Sequence, residues 1–445
     1  MARTVIRGGA VLTMGPPGFL RGDVAVEGNR IAEVGRVSPG KADVEIDASG
    51  CWVLPGFVQT HVHLCQTLFR GLAEDLDVME WLDRWIWPLE QALDREATAA
   101  SARWGIAQLL LSGTTAFNAM ETARHTDAVF EAAADLGARA VVGKALMDRR
   151  EPGTDLLGET TDEALADLTR LVDRWHGAAD GRLRASVAPR APSSATERMW
   201  RDGLELARRR RLVVHTHVNE NRGQAELVSD FNGGRDVEVL DGLGALGPRT
   251  VLAHCVWLTD QEMSLLAWSG TNVAHCPTAN LKLGSGVAPV PELLARGVNV
   301  GIGTDGAACN NSLDALDEMR MAALVHRPRS GAGAMGAQRA LTLGTVAGAR
   351  ALGLDAGTVE VGRLADIVVM RTPEAGHLHE TADPATHVVF APDRRVTAVL
   401  VDGRVVVEDG ELVHGCLRDI ERDAFAARRR VVERMRERRA VRQAG

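Results

Sequence analysis

An apolar run over residues 52–58 leads straight into Gln59-Thr60-His61-Val62-His63. In an extended chain, residues two apart point to the same side, so the imidazoles of His61 and His63 converge on one point. By itself an HxH pair also fits two packed core histidines. Three later segments repeat the pattern. Residues 212–214 lead into His215-Thr216-His217-Val218-Asn219-Glu220, residues 250–253 into His254, and residues 298–303 into Thr304-Asp305-Gly306. Four β-like runs that each deliver a ligand-type residue at the C-terminal end match the way a (β/α)8 barrel builds a site, because its catalytic groups lie at strand ends on one face.

The expected fold is α/β: a (β/α)8 TIM barrel with a small β-sandwich built from both chain ends. At 445 residues the chain exceeds a usual single core. Residues 3–12, 22–34 and 43–54 read as strands broken by Gly, Pro and Asn, and β-rich stretches return at 365–370, 396–401 and 404–407. Between them, strand candidates at 52–60, 113–118, 138–146, 183–189, 211–217, 249–254, 271–275 and 297–304 alternate with helix candidates. The expected division is 1–55 for the first part of the sandwich, 56–355 for the barrel, 356–415 for the rest of the sandwich and 416–445 for a C-terminal helix. Mixed Arg and Glu over 419–442 suggest that this helix is solvated or faces another subunit.

Bulk properties narrow the partners. A net charge of −8 gives no reason to expect nucleic acid or an anionic membrane. No apolar stretch approaches the ~20 residues of a membrane span, and the N-terminus lacks the apolar segment of a signal peptide, so the expected location is the cytoplasm. Six cysteines without a CxxC pair do not make a disulfide framework. Cys65, Cys255 and Cys276 follow histidines closely, yet read as small apolar strand residues rather than ligands. The chain has no tyrosine to serve as acid, base or nucleophile.

His61, His63, His217 and Asp305 are the expected ligands. His217 lies nearer the barrel mouth than His215, which is then structural. Three imidazoles and a carboxylate suit one divalent metal, with zinc first and iron or manganese as alternatives. A two-metal site would need a bridging group, commonly a carbamylated lysine on the fourth strand, and residues 183–192 hold Arg190 and no lysine; Lys144 belongs to the third strand. A bound metal lowers the pKa of its water from 15.7 to about 7, giving hydroxide at neutral pH. Glu220, three residues past His217, is placed to protonate a ring nitrogen under attack, and His254 to orient the water or stabilise a forming alkoxide. Asp305 can pass the water's proton to a leaving amine.

These residues resemble the amidohydrolase superfamily, in particular its branch of methylthioadenosine/S-adenosylhomocysteine deaminases, guanine and oxoguanine deaminases and s-triazine hydrolases. The resemblance runs to about residue 415. It is carried by Pro55-Gly56-Phe57 before the HVH, Thr67-Leu68-Phe69-Arg70-Gly71-Leu72-Ala73 and Glu80-Trp81-Leu82. Further matches are Ala253-His254-Cys255-Val256, Asn280-Leu281-Lys282-Leu283, and Gly303-Thr304-Asp305-Gly306 with Asn310-Asn311-Ser312. It implies a single metal, hydrolytic deamination, the same roles for His61, His63, His217, Asp305, Glu220 and His254, and homo-oligomers.

The substrate region departs from the adenosine-type pattern. Those enzymes usually carry Pro-His-Ser-Pro on the fourth strand, where this chain has Pro189-Arg190-Ala191-Pro192. Arg190 and Gln66 are more like guanine deaminase. Met79 stands two before Trp81, where some nucleoside-specific members carry an acid for the ribose hydroxyls. Gln66 and Arg190 are the expected readers of a heterocycle edge, Trp81, Trp85 or Trp87 can cover a flat ring, and His275 at a strand end is a further substrate contact. The leading expectation is a metal-dependent aminohydrolase of purines, pterins or adenosine derivatives. An s-triazine chlorohydrolase or N-dealkylating hydrolase would use the same site, and a non-catalytic scaffold of this fold would show broken ligands. A zinc deaminase of the smaller fold is excluded, since its P-C-x-x-C pair is missing.

Overall fold

A computed structural model describes residues 2–149, 157–373 and 383–444. Met1 and Gly445, the outermost residues of the expected terminal segments, lie outside the described residues, as does 374–382 within the expected 356–415 segment.

The chain starts with β1 (Arg3–Leu12), β2 (Phe19–Glu27), β3 (Arg30–Gly35), β4 (Val44–Asp47) and β5 (Cys51–Pro55). Eight strands then alternate with helices: β6 (Phe57–His63), β7 (Thr114–Glu121), β8 (Arg139–Leu146), β9 (Leu183–Pro189), β10 (Val213–Val218), β11 (Thr250–His254), β12 (Asn272–His275) and β13 (Val300–Ile302). All are parallel to their neighbours, and β13 returns to pair with β6 through Ile302 and Gln59, closing the barrel. A short β14 (Asp305–Gly306) continues beside Val62 and His63.

The remaining strands are β15 (Ile367–Arg371), β16 (Arg395–Val401), β17 (Arg404–Glu408) and β18 (Glu411–Leu412). They join the N-terminal ones in a single sheet of order β18-β17-β16-β15-β5-β1-β2-β3, with β4 beside β1. Alternate residues, among them Ile6, Val24, Val26, Val53, Ile367, Val369 and Leu400, form a small apolar cluster separate from the barrel core. The sandwich expected from both chain ends is therefore one connected sheet with its own core.

One expected strand needs correction. Residues 52–60 are two strands in two sheets: 52–55 pair with β15, while Phe57 begins the barrel. Gly56 is the break. A Cβ there would lie 2.2 Å from the Thr115 side chain, so only glycine lets the chain cross this close to β7.

Sheet and barrel are bolted together by a buried ion cluster. Arg139, at the start of β8, donates from Nε to Asp366 at 2.7 Å and from Nη2 to Asp402 at 2.9 Å. All three side chains are at most 5% exposed. On the barrel's outside, the helix Arg95–Leu111 receives the C-terminal helix Leu417–Ala444. Ile420, Ala424, Ala427, Val431 and Met435 form its buried stripe, at the 3.6-residue period of one helix face. The dense charges of this segment thus flank an internal contact, with Phe425 5.2 Å from Trp104 and Arg434 paired to Asp94.

Replacing Arg139 by Met should strand two buried carboxylates and cost about 3–5 kcal/mol. Denaturant unfolding measures this; a loss under about 1 kcal/mol would mean that the cluster is relieved by water.

Candidate active site

At the C-terminal mouth of the barrel the side chains of His61, His63, His217 and Asp305 meet. The Nε2 atoms of His63 and His217 are 3.2 Å apart, and Asp305 Oδ1 lies 3.2 Å from Nε2 of both His61 and His63. The far ring nitrogens decide what these atoms are. His63 Nδ1 faces the Met120 carbonyl at 2.6 Å and His217 Nδ1 the Arg190 carbonyl at 2.6 Å. A carbonyl only accepts, so each Nδ1 carries the proton and each Nε2 is a bare lone pair. His61 Nδ1 meets His215 Nε2 at 2.9 Å, so His215 lies one layer deeper, orienting His61, as its place two residues before His217 implied. The Nε2 lone pairs of His63 and His217 then point at the Asp305 carboxylate and at the buried His61 Nε2, which has no hydrogen-bond partner among the described residues, an arrangement that a cation fits.

Burial lowers His61 to about 4 and takes His217 and His215 well below the usual histidine range, whereas at His63 burial is outweighed by Asp305, which raises it. Burial would raise Asp305, but its contacts with His61 and His63 prevail and hold it well below the ordinary carboxylate range. His254 and Asp305 have φ of 72° and 62°, the left-handed region that bulky residues avoid, and such strain gathers at functional sites.

His254 Nε2 lies 3.7 Å from Glu220 Oε2 and 3.9 Å from Asp305 Oδ2. Its Nδ1 is fixed by Asn280 Oδ1 at 2.8 Å. Burial, and behind it Asp305, raise the Glu220 carboxyl above its usual range, against the pull of His254. Asp236 supports this corner, since its Oδ2 accepts the Asn219 N–H at 2.6 Å just before Glu220. Its own carboxyl is pushed up to about 7 by burial and by nearby Glu262.

A cavity opens beside this cluster. His63, His217, Glu220, His254 and Asp305 line it together with Gln66, Met79, Trp81, Trp87 and Arg190. Of the three tryptophans expected near a ring, Trp85 is turned away under Arg439. His275 is buried 5.3 Å from His326 and is not in the cavity wall. Lys144 is buried between Glu159 and Asp167, at 2.8 and 2.9 Å, away from the ligands. Among the described residues no cysteine joins the ligand groups.

One functional neighbour is absent from the expectations above. Glu90, on α2 (Trp87–Ala92), accepts from Arg190 Nη1 at 2.8 Å and Nη2 at 3.2 Å, and from Gln66 Nε2 at 3.1 Å. Burial opposes its charge, but Arg190 keeps the carboxyl below its usual range. Its only signal in the sequence is the Trp87/Glu90 spacing, which puts both on one helix face.

A barrel mouth with three imidazoles and a carboxylate, flanked by Glu220 and His254, is the arrangement of a metal-dependent hydrolase. The sequence model of the amidohydrolase family matches residues 52–406, and the chain belongs to that family. It is 42% identical over 413 residues to a 5'-deoxyadenosine deaminase of Methanothermobacter thermautotrophicus, covering 92% of this chain and 94% of that one. An adenosine deaminase of Xanthomonas campestris with bound zinc superposes with a TM-score of 0.89 at 30% identity, over 97% of this chain and 99% of the other. An atrazine chlorohydrolase of Arthrobacter aurescens complexed with zinc gives 0.88 at 27%, over 96% and 100%.

Stripping divalent ions with a chelator should lower the melting temperature, and returning zinc should restore it, because an ion that binds only the folded state adds about 2.7 kcal/mol at 100 times its Kd. His217→Ala should abolish that response. A pH test concerns Asp236. Its folded pKa of about 7 exceeds the ~3.9 of an unfolded aspartate, so its contribution is full below pH ~4 and lost as pH rises through ~7. Asp236→Asn should therefore gain stability relative to the parent between pH 5 and 8, and a constant difference in melting temperature would refute it.

Proposed function

We propose that this amidohydrolase is a hydrolytic deaminase that replaces the exocyclic amine of an aromatic nitrogen heterocycle, a purine, pterin or adenosine derivative, by oxygen. The observation that carries this reading is Glu220 and His254 flanking the four-ligand cluster beside a tryptophan-lined cavity. The similarity to enzymes named as deaminases of 5'-deoxyadenosine and adenosine supports it. His61, His63, His217 and Asp305 would hold a divalent ion, zinc by preference, as the zinc-bound neighbours suggest. When bound, that ion acidifies a water toward neutral pH.

The residues around it divide the proton work. Glu220, whose carboxyl burial raises above its usual range, gives a proton to the ring nitrogen beside the carbon under attack. His254, immobilised by Asn280, stabilises the charge that develops on the oxygen added to that carbon. Asp305 Oδ2 takes the proton of the adding water and returns it to the departing amine. One water is consumed, the C–N bond breaks, a C–O bond forms, ammonia leaves, and the proton left on the added oxygen returns to Glu220 as the carbonyl forms. Gln66 and Arg190 line the ring edge, and Trp81 covers its face. The reading includes a cytoplasmic setting and self-association, the latter implied by the family resemblance; no described helix is long and apolar enough to cross a membrane.

The likeness to an atrazine chlorohydrolase favours a second reading, in which the same water displaces chloride from a triazine. Zinc-loaded protein should be assayed for ammonia and chloride on guanine, oxoguanine, isoxanthopterin, adenosine, methylthioadenosine, melamine and a chlorotriazine. Ammonia from a purine or pterin is the expected result, and chloride without ammonia would replace it with the second reading. Glu220→Gln should retain metal and lose roughly 10²–10⁴ in kcat; full turnover would remove Glu220 from the proton path.

A further inference from the structure

A second recess lies at the other end of the barrel, where the strands begin. Val213 of β10 pairs with Ser186 of β9, and Val214 pairs with Thr250 of β11. Arg184 stands two residues ahead of Ser186, Arg211 two ahead of Val213, and Arg249 directly ahead of Thr250. Parallel register thus brings three arginines from three neighbouring strand starts to one rim. Together with His176 they line a recess of about 430 Å³, over an apolar bed that includes Val213 and Leu352. That volume falls within the ~300–1,000 Å³ of small-molecule sites.

Every lining side chain that can hydrogen-bond is a donor. A guanidinium only donates. His176 Nδ1 accepts the Ala185 N–H at 3.3 Å, which leaves Nε2 as the N–H of the neutral ring. No carboxylate is among the lining residues. Arg184 donates to the Gly353 carbonyl at 3.2 Å. Among the described residues, the side chains of Arg211 and Arg249 make no hydrogen bond or ion pair, whereas Arg210, outside the recess, is paired with Asp173. Partial burial, then the charges of Arg184 and Arg210, lower the pKa of His176, and burial followed by Arg139 lowers that of Arg184. Positive charge therefore collects in a concave site on a chain of net charge −8, and a cleft lined by one sign of charge concentrates ions of the other.

We propose that this recess is a binding site for a phosphate group, free or carried by a small ester, separate from the substrate cavity. One guanidinium fork satisfies a lone carboxylate. Three guanidiniums and an imidazole N–H suit an anion with several oxygens and more than one charge. The strands whose beginnings form the recess lead to Arg190, His217 and His254 at their other ends, so the anion sits behind the catalytic face and touches none of its residues.

The test is titration calorimetry on the zinc-loaded full chain with inorganic phosphate and with glycerol 1-phosphate, against sodium chloride at matched ionic strength. One site per chain with a Kd under about 1 mM is expected for at least one probe. Arg184→Gln should weaken it roughly 10- to 100-fold, the scale of a lost charge-assisted contact. Arg249→Gln, at the exposed rim, should act likewise and carries the test if Arg184→Gln does not fold. Arg210→Gln should change nothing. Tighter binding of the ester would support an organic phosphate as occupant, and tighter binding of phosphate the free ion. A wild type that takes up neither probe beyond the chloride control overturns the proposal. So does binding that survives both rim variants, or that falls equally in Arg210→Gln, as loose attraction to surface charge would. Binding that disappears when zinc is stripped would put the anion at the metal cluster and overturn it too.

Discussion

Three imidazoles and a carboxylate face one another at the barrel mouth, and much of the local architecture serves to hold their rings in place. Each imidazole is locked from behind: His63 by the Met120 carbonyl, His217 by the Arg190 carbonyl, His61 by His215. Without those partners the rings could exchange tautomers and satisfy one another, and the cluster would become an ordinary buried hydrogen-bond network. The backs of the rings therefore matter as much as the fronts. Two of the three locks are main-chain atoms of neighbouring barrel units, so the closed strand order is itself part of the ligand set.

Glu220 and His254 follow the same logic one step outward. His254 is pinned by Asn280, and the backbone before Glu220 by Asp236. Both carriers stand where the chain leaves a strand, and His254 adopts a left-handed conformation there. The barrel supplies rigid strands, and the turn that ends each one aims the side chain. That division explains how a closed, apolar scaffold tolerates so many titratable groups in one place.

Much of this was legible because strands write their geometry into sequence with a period of two. His61 and His63, or His215 and His217, share a face for that reason alone, and along β10 His217 joins His61 and His63 while His215 stands behind His61. The closing strand with Asp305 was equally readable. The expected division falls at 55/56, although the strand candidate 52–60 ran across it because both sheets demand apolar residues there. Two things left no mark. The locks on His63 and His217 are carbonyls, which every residue possesses. Glu90 looked like one more acidic residue on an amphipathic helix, since its partners Gln66 and Arg190 are remote in sequence and meet only through the fold. His275 errs the other way: a strand-end histidine looks like a site residue, yet its ring packs beside His326.

The sheet made from both chain ends has a consequence for how this protein comes into being. In the finished molecule β5 lies between β1 and β15, with all five of its residues buried. On the ribosome, β5 emerges early and its second neighbour begins only at Ile367. While the whole barrel is being made, Cys51-Trp52-Val53-Leu54-Pro55 offers an open apolar edge of the kind that pairs with other chains. The nascent chain is thus most adhesive during the synthesis of its catalytic part, and a product stopped short of Ile367 would keep that edge for good.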